Sequence, residues 1–397
     1  MSGHNRERWL VYILGATCFF QMTVLAPVIP RFTAEELGLD VGATGLVLAA
    51  RTLVPVLFAA GLGAWGVRIG LRRFLLLSGA LTAASGLVYF FADGFGSIVF
   101  AQLLGGTFHL AVWIGIQTYA TNMADRGRVV GIFSTFTAVG MALAPVVGGL
   151  ALDYGGYGAA FAVYVGIGVI QTGLIAGLRG GDSAPPSDAP KTRGGHWAIL
   201  ARPGIQAAFL FSFICLFAIN SRTTFLPVYM QELGRSSTVI GALMAVGSLG
   251  QAALRPFTQS ALQAFGLTAV LVGASLLGVG GFFVLPLFTS DLFIALLMLL
   301  HGAGAGLQQS VGLLMLAEHS SAQERGFAVG LRATANQVSA TAAPALLGLL
   351  IQWTGTVTGF ALTGAMLLAL VFVMGWLAAK TQKMQQAEGL RQADARG

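Results

Sequence analysis

The stretch DRGRVVG at Asp125–Gly131 returns, with changes, as QERGFAVG at Gln323–Gly330. Pro145 and Pro344 follow the two copies at the same offset. Moving outward from this pair, a shift of ~196 to 200 residues aligns further positions. These are Pro27 with Pro227, Gly45 with Gly241, Gly70 with Gly266, Gly105 with Gly304, and Phe161 with Phe360. The chain is therefore predicted to consist of two related halves.

The composition is that of a membrane protein. Hydrophobic residues fill 56% of the 397 positions and charged residues only 9%, whereas charged residues make up about 25% of an ordinary soluble domain. Apolar runs of about 20 residues, enough helix to cross a bilayer, recur along the whole sequence. We therefore expect an all-α integral membrane protein, because a β-barrel would show short alternating segments instead.

Twelve transmembrane helices with very short loops are predicted. Their spans are 9–29, 41–66, 73–92, 95–121, 128–152, 157–178, 203–229, 237–261, 266–286, 290–317, 326–352 and 356–379. The polar stretch GGDSAPPSDAPKTRGG between helices 6 and 7 predicts a flexible linker. The expected domains are an N-terminal six-helix bundle (1–178), a cytoplasmic linker (179–202), a C-terminal six-helix bundle (203–380) and a cytoplasmic tail (381–397).

Positive charges are distributed unevenly between the two sets of loops. If the N-terminus is cytoplasmic, the outside segments hold only Arg31 and Arg235, and the other loop Lys and Arg residues lie inside. This asymmetry predicts a bacterial-type inner membrane protein with both termini in the cytoplasm. The net charge of +7 is then a matter of orientation, and no nucleic-acid partner is expected. Cys18 and Cys215 lie inside predicted helices, so neither a disulfide, a metal nor another cofactor is expected.

Helix 5 carries a regular series of small residues. Gly131, Gly140, Ala144, Pro145, Gly148 and Gly149 resemble the antiporter motif of the major facilitator superfamily, in which Ala144 replaces a glycine. The resemblance covers essentially the whole chain and is greatest to the drug:proton antiporters, an efflux group. It implies two pseudo-symmetric six-helix bundles that give alternating access to a central solute site. Simple glycine packing between helices is the alternative interpretation of the motif.

Two other stretches resemble the superfamily but depart from its pattern. The sequence GAWGVRIGLRR at Gly63–Arg73 is similar to the signature loop between helices 2 and 3, with Val67 at the aspartate position. The resemblance implies a gating role for the retained Arg68, Gly70 and Arg72. In helix 4, Gln102 stands where the exporters typically have arginine, so the coupling scheme is expected to differ, since glutamine does not titrate.

The ionisable residues deep inside the predicted helices are basic, whereas every Asp and Glu falls in a tail, a loop or a helix end. These basic residues are Arg51, His109, Arg222, His301 and Arg332. Such residues are expensive in hydrocarbon and are interpreted first as functional. An interior without mid-depth carboxylates favours an anionic or amphipathic solute. The sequence suggests no partner for Arg51.

The predicted solute cavity combines a helical stripe with positions implied by the resemblance. Helix 4 places Gln102, His109, Trp113 and Gln117 on one face. The resemblance implies that helices 1, 4, 7 and 10 line the cavity, which adds Gln21, Asn220, Arg222, His301 and Gln308. For His109 and His301 the alternative is a neutral imidazole that is hydrogen-bonded across a helix contact.

A cytoplasmic gate is predicted where the two repeated stretches meet the solvent. Asp125 and Arg128 have Glu324 and its neighbours as repeat partners, and Arg332 lies two turns further along helix 11. Ion pairs between the halves would close the inner mouth in one state and break in the other. Ordinary solvated loop charges are the alternative.

The sequence contains no nucleotide-binding loop, metal spacing or nucleophile elbow, so an enzyme is not expected. The leading hypothesis is a monomeric secondary transporter that exports a small organic solute or drug in exchange for protons, with membrane lipid around it. The first alternative is an importer or uniporter of organic anions. The second is a membrane sensor that transports nothing.

Overall fold

The computed structural model describes residues 3–121, 123, 126–178, 202–319 and 325–394, and the elements assigned there are helices. The α-helices are α1 (Gly3–Thr23), α2 (Ile29–Glu35), α3 (Val41–Ile69), α4 (Leu71–Val88), α5 (Phe95–Thr121), α6 (Arg126–Ala176), α7 (Pro203–Glu232), α8 (Ser237–Leu254), α9 (Thr258–Phe265), α10 (Leu267–Phe283), α11 (Asp291–His319), α12 (Arg325–Thr354) and α13 (Thr356–Asp394). Short 3₁₀ turns occupy Tyr89–Phe91, Arg255–Phe257 and Leu285–Leu287.

The helices are long and apolar enough for a multi-pass membrane protein. Eight helical runs in the described residues could each cross a bilayer, and the run Ile132–Ala176 has 45 residues, more than twice the ~20 that one crossing requires. Two shorter apolar runs lie in α3 and α10. With α1 included, and α6 counted as two crossings, these elements form the predicted twelve-helix, all-α membrane fold.

Several predicted helix boundaries were wrong, each for a local reason. Helix 1 ends at Thr23 instead of 29, because Pro27 and Pro30 follow and proline cannot continue a hydrogen-bonded helix. The predicted loop between helices 5 and 6 is reduced to Gly156, the one residue of α6 with non-helical φ and ψ. Helix 8 stops at Leu254, before a 3₁₀ turn that contains Pro256. Helix 12 runs on to Asp394 instead of 379.

The duplication is visible in the turns. Six glycines in the described residues have positive φ, a conformation that a Cβ disfavours. They form three pairs at the repeat offset: Gly38 (60°) with Gly234 (72°), Gly70 (86°) with Gly266 (76°), and Gly156 (72°) with Gly355 (82°). The corresponding turns of the two halves therefore have the same backbone requirement, which confirms the repeat read from the sequence.

The chain separates into two compact units. Unit 1 comprises Met1–Ser187, Ser221–Ser248 and Ala340–Thr356, and unit 2 comprises the remaining segments, from Asp188–Asn220 to Val357–Gly397. In unit 1 a core cluster includes Leu14, Leu75 and Phe133, and a second cluster lies around Tyr89, Phe161 and Tyr164. In unit 2, Phe282 packs against Phe283 and Phe360.

Candidate transport site and gate

The antiporter-like motif brings α6 against α1. A Cβ added at Gly140 would collide with the carbonyl oxygen of Ala16, and one added at Gly148 would collide with that of Val24. Both clashes are with backbone, which has little freedom to move. Ala144, where the superfamily has glycine, is fully buried. The motif therefore contributes close helix packing in this chain, whatever else it does.

The same motif also lies against α8, and the repeat supplies the matching contact. The carbonyl oxygen of Pro145 lies where a Cβ of Gly241 would be, and the carbonyl oxygen of Pro344 lies where a Cβ of Gly45 would be. Gly149 meets the backbone of the first residue of α8 in the same way. All of these segments belong to unit 1. Two glycine crossings, α6 with α8 and α12 with α3, are thus related by the duplication.

Three polar residues surround the Glu35 carboxylate at the end of unit 1 where α2 lies. We call Arg31, Glu35, Tyr157 and Gln231 together the Glu35 cluster. The Nε of Arg31 donates to Oε1 of Glu35 at 2.7 Å, and Nε2 of Gln231 donates to the same oxygen at 3.1 Å. The Tyr157 hydroxyl donates to the other carboxylate oxygen. Burial raises the pKa of Glu35, but these hydrogen bonds and the Arg31 charge outweigh it, so the pKa lies below its ordinary value.

Beside the Glu35 cluster, two polar contacts are related by the repeat. The Asp153 carboxylate accepts from the backbone N–H groups of Ser237 (2.9 Å) and Thr238 (2.7 Å) and from the Thr238 hydroxyl, so it caps the start of α8. At the corresponding place in the other half, Nε2 of Gln352 donates to Asp40 at 3.0 Å, and Asp40 caps α3. Asp153 of α6 thus holds the start of α8, and Gln352 of α12 holds the start of α3.

Arg51 has partners that the sequence did not suggest. Its Nη1 lies 3.5 Å from Oε1 of Gln102, and the Tyr89 hydroxyl donates to the same oxygen at 2.9 Å. We call Arg51, Gln102 and Tyr89 the Arg51 network. Its cation comes from helix 2 and lies beside the glutamine that stands at the arginine position of the exporters.

The other predicted residues of helix 4 differ in their surroundings. His109 is buried, with both ring nitrogens 4.0 Å from the Cys18 sulfur. Trp113 lies between Phe19, at 4.8 Å between ring centroids, and Phe133, at 5.7 Å. Gln117 is exposed. Of the predicted stripe, His109 and Trp113 therefore lie in a mixed polar and aromatic region, and Gln102 belongs to the Arg51 network.

Gln21 of helix 1 is fully buried and turned towards α6. Its Nε2 donates to the carbonyl oxygen of Tyr164 at 3.2 Å, while its Oε1 has no hydrogen-bond partner among the described residues. The side chain therefore joins two helices and keeps one acceptor unused.

Arg222 in α7 is the most isolated charge in the described part of the chain. It is 3% exposed, and neither Nε nor Nη1 has a hydrogen-bond partner among the described residues. Ser221 beside it is fully buried. Asn220, one residue further back, donates from its amide to the Leu216 carbonyl oxygen at 2.7 Å. No carboxylate of the described residues pairs with this cation.

In unit 2, the predicted site residues His301 and Gln308 of α11 make contacts with α10. Nδ1 of His301 lies 2.6 Å from the Gly278 carbonyl oxygen, and Nε2 of Gln308 donates to the Ser275 hydroxyl at 3.0 Å. Both side chains are buried. These hydrogen bonds join α11 to α10. This is the arrangement expected if His301 is a neutral imidazole that is hydrogen-bonded across a helix contact.

The predicted cytoplasmic gate is only partly described. Asp125 and Glu324 lie outside the described residues, as do the side chains of Arg128, Gly131 and Arg332. Gly70 has positive φ at the turn between α3 and α4, and Arg68 and Arg72 beside it are exposed. Nη2 of Arg72 donates to the Ala176 carbonyl oxygen at 3.0 Å, which joins the start of α4 to the end of α6.

Sequence reasoning missed the polar contacts at the α2 end. Asp40 and Asp153 are not among the predicted site or gating residues. A signal was present, because Asp153 and Gln352 are repeat partners that each end a helix just before a positive-φ glycine. Polar residues at corresponding helix ends of both halves indicate a shared contact.

A duplicated chain of long apolar helices with buried polar groups is typical of a membrane transporter. The sequence profile of the Major Facilitator Superfamily matches residues 11–234 and again residues 222–395. The chain therefore belongs to the Major Facilitator Superfamily. Its family and its structural neighbours are transporters, which bind small-molecule solutes, and the resemblance to the drug-efflux members is confirmed.

Relatives of known name match parts of the chain. The methyl viologen resistance protein SmvA of Salmonella typhimurium is 25% identical over 178 residues, which are 43% of this chain and 36% of that protein. The multidrug efflux pump LfrA of Mycolicibacterium smegmatis is 30% identical over 149 residues, 36% of this chain and 29% of that protein. The raffinose permease of Escherichia coli is 32% identical over 114 residues, 29% of this chain and 24% of that protein. The chain thus spans well under half the length of these relatives.

Solved structures resemble the whole chain. A bacterial homologue of the human lysosomal transporter Spinster, in an inward-facing and unoccupied conformation, has a TM-score of 0.79 at 14% identity, with 96% of this chain and 99% of that chain covered. The nucleoside transporter NupG has a TM-score of 0.79 at 13% identity, with 93% and 98% covered. At these identities the likeness establishes the fold.

Proposed function

We propose that this chain exports a small organic solute with an acidic group, by alternating access and in exchange for protons. The observation that carries the proposal is Arg222. A guanidinium stays protonated, and burying it without a partner costs several kcal/mol. A carboxylate can accept two parallel hydrogen bonds from it and remove that cost. The solute is the partner that Arg222 lacks.

The surroundings favour an acid over a cation. Carboxylates in the described residues lie at helix ends, as Glu35, Asp40 and Asp153 do, so a cationic solute would meet fixed positive charge without a counter-ion. Trp113 with its neighbours Phe19 and Phe133 provides an aromatic surface for an apolar part of the solute. The names of the relatives include sugar, vitamin and drug transporters, so they do not select a solute class.

Alternating access is supported by the type of contact in unit 1. The glycine crossings and the contacts of Asp153 and Asp40 join segments of the first half to segments of the second half. Each polar contact consists of one to three hydrogen bonds at partly exposed groups, which can break and reform at low cost. We assign this end to the outside of a bacterial-type inner membrane. The structure would then be the state that is closed outside.

The domains follow the repeat in this proposal. The N-terminal bundle is 1–178, the C-terminal bundle 203–380, and the linker 179–202 and tail 381–397 lie in the cytoplasm with both termini. The protein acts as a monomer, and Gln21, Gln102, His109, Asn220 and Gln308 are secondary candidates for solute contact. Export is the direction favoured by the antiporter-like motif. His109 is the candidate proton carrier, since its imidazole lies one helical turn from Trp113 on the same helix.

The experiment compares the small-molecule content of cells with and without the protein. Cells that lack it should retain one or more organic acids, and the wild type should restore their release. Arg222→Ala should fail to restore release, whereas Ser221→Ala, a change at the adjacent buried position that leaves the charge intact, should restore it. Retained compounds that are all cationic, or full release by Arg222→Ala, would overturn the solute assignment.

Direction and coupling are tested with the released acid in inside-out vesicles. Uptake that rises at least tenfold when the vesicle interior is acidified supports proton-coupled export. Exchange at a rate indifferent to pH instead identifies a uniporter, and an absence of flux identifies a sensor.

A further inference from the structure

We infer that Arg51 forms a second anion-binding subsite, in the first half of the chain, for a carboxylate or another singly charged anionic group. The inference deepens the proposed function, because the natural occupant is an acidic group of the transported solute. A free inorganic anion, such as chloride, has the same charge, and titration with each anion distinguishes it from an acidic group of the solute.

The Arg51 network contains one charge and no counter-charge. Gln102 and Tyr89 are both neutral, and Oε1 of Gln102 is shared between the two other members. No carboxylate of the described residues pairs with Arg51, and its Nη2 is buried without a hydrogen-bond partner. A buried, permanently charged group of this kind requires an anion from elsewhere.

A further donor lies next to the network. The Tyr164 hydroxyl is buried and has no partner among the described residues. Around Gly105, the position that a Cβ would occupy lies 3.3 Å from this hydroxyl, 3.5 Å from that of Ser85 and 3.6 Å from that of Tyr89. Glycine thus leaves a small space that three hydroxyl groups surround. The Tyr89 and Ser85 hydroxyls already donate, to Gln102 and to the Thr82 carbonyl oxygen, so the Tyr164 hydroxyl is the unused donor in this space. A free hydroxyl donor beside a guanidinium is suited to carboxylate or halide binding.

The duplication shows that the fold does not need this charge. The backbone carbonyl of Arg51 lies where a Cβ of Gly106 would be, and in unit 2 the carbonyl of Gln251 lies where a Cβ of Gly306 would be. The two crossings are equivalent. In the second, the residue at the position of Arg51 is the neutral Gln251, which is 4% exposed. The first half therefore carries a cation at a place where packing requires none, which points to a ligand.

The equivalence also supplies the test variant. Arg51→Gln gives the first half the residue that the second half already uses in the same crossing, so the variant should fold. Purified protein in a chloride-free buffer is titrated with sodium benzoate, with neutral benzamide of the same shape, and with sodium chloride, and thermal unfolding is followed. Arg222→Gln is titrated in parallel, and Lys383→Gln, which removes one exposed charge, is the control.

Benzoate should raise the unfolding midpoint of the wild type and of Lys383→Gln, whereas benzamide should not. Arg51→Gln should bind benzoate at least tenfold more weakly, and Arg51→Lys should recover part of the loss. A response to benzoate alone identifies an organic acid site, and an equal response to chloride identifies an inorganic anion site. The inference is wrong if no anion stabilises the wild type, or if Arg51→Gln responds as the wild type does. If Arg222→Gln loses the response to benzoate and Arg51→Gln keeps it, the proposed function stands and the inference of a second subsite is wrong.

Discussion

Charged side chains in this protein fall into two kinds according to depth. Glu35 and Arg31 lie at a helix end, partly exposed, and neutralise each other at 2.7 Å. Arg222 and Arg51 lie within long helices and have no carboxylate partner in the described residues. Water can stabilise the first kind when its contacts break, but not the second. The first kind therefore suits a gate, and the second suits a binding site.

Glu35 predicts how the closed end responds to acid. A carboxylate whose pKa is lower in the folded protein stabilises it fully above its unfolded value of 4.5, and that stabilisation is lost as the pH falls through the folded value. Glu35→Gln should therefore lower the free energy of unfolding at pH 7 by less than about 1 kcal/mol, because the pair is exposed, and the thermal unfolding midpoint should fall accordingly. As the pH falls below 4.5, the wild type should approach the variant.

The control for this prediction is the neighbouring Glu36→Gln, which changes the charge of an exposed residue beside the cluster. It should leave the acid response of the wild type in place. Equal behaviour of the two variants at all pH values would show that the Glu35 cluster does not contribute.

At the scale of helices, spacing predicted close contacts but not the contacting partners. The glycines of the motif indicated that α6 approaches another helix, and the structure shows that Gly140 and Gly148 face α1 whereas Gly149 faces α8. A single helix has several faces, and only packing determines which neighbour each face meets. The predicted helix boundaries near Pro27, Gly156 and Pro256 were wrong by a few residues, because a proline or a positive-φ glycine interrupts the helix there.

Gly148 allows a test of the helix packing. Gly148→Ala places a methyl group against the backbone of Val24 and should destabilise the protein by about 1–3 kcal/mol. Gly166→Ala, in the second of the two crossings that α6 makes and with nothing within 4 Å of the new methyl group, should instead be neutral or stabilise by about 0.5–1 kcal/mol. Thermal unfolding of the purified variants measures both. A common effect would mean that the close approach of α6 to α1 is not tight in the protein.

The candidate site was predictable in type but not in arrangement. Arg222, Gln102 and His109 were predicted as candidates because polar residues stand out in apolar helices. The pairing of Arg51 with Gln102 was not, because the two residues lie on different helices and only the crossing at Gly106 brings them together. Such a contact has no local sequence signal.

For the whole molecule, the duplication explains why corresponding contacts recur. The crossing at Gly45 mirrors that at Gly241, and the contact of Asp40 with Gln352 mirrors that of Asp153 with α8. The two polar contacts are unequal, since Asp153 accepts three hydrogen bonds and Asp40 accepts one from Gln352. The Asp153 contact should therefore contribute more to the closed state.

Asp153→Ala should open this end of the protein more than Gln352→Ala does. The measurement is labelling of a cysteine at Thr44, which is 2% exposed, by a membrane-impermeant maleimide in a background where Cys18 and Cys215 are alanine. Loss of three hydrogen bonds at about 1 kcal/mol each predicts at least a tenfold faster reaction. Gln352→Ala should change the rate by less than about fivefold.

Equal rates for the two variants would show that the contacts contribute alike. Rates that match the parent would show that neither contact holds the end closed.

The mirrored contacts of Asp40 and Asp153 also carry information about origin. If each half were once a separate chain, two copies would have met about a two-fold axis, and both contacts would have been one self-complementary interface. A mutation in such a dimer changes both copies at once. After fusion each could change alone, so the three-bond cap at Asp153 and the single bond at Asp40 record divergence that symmetry would have forbidden.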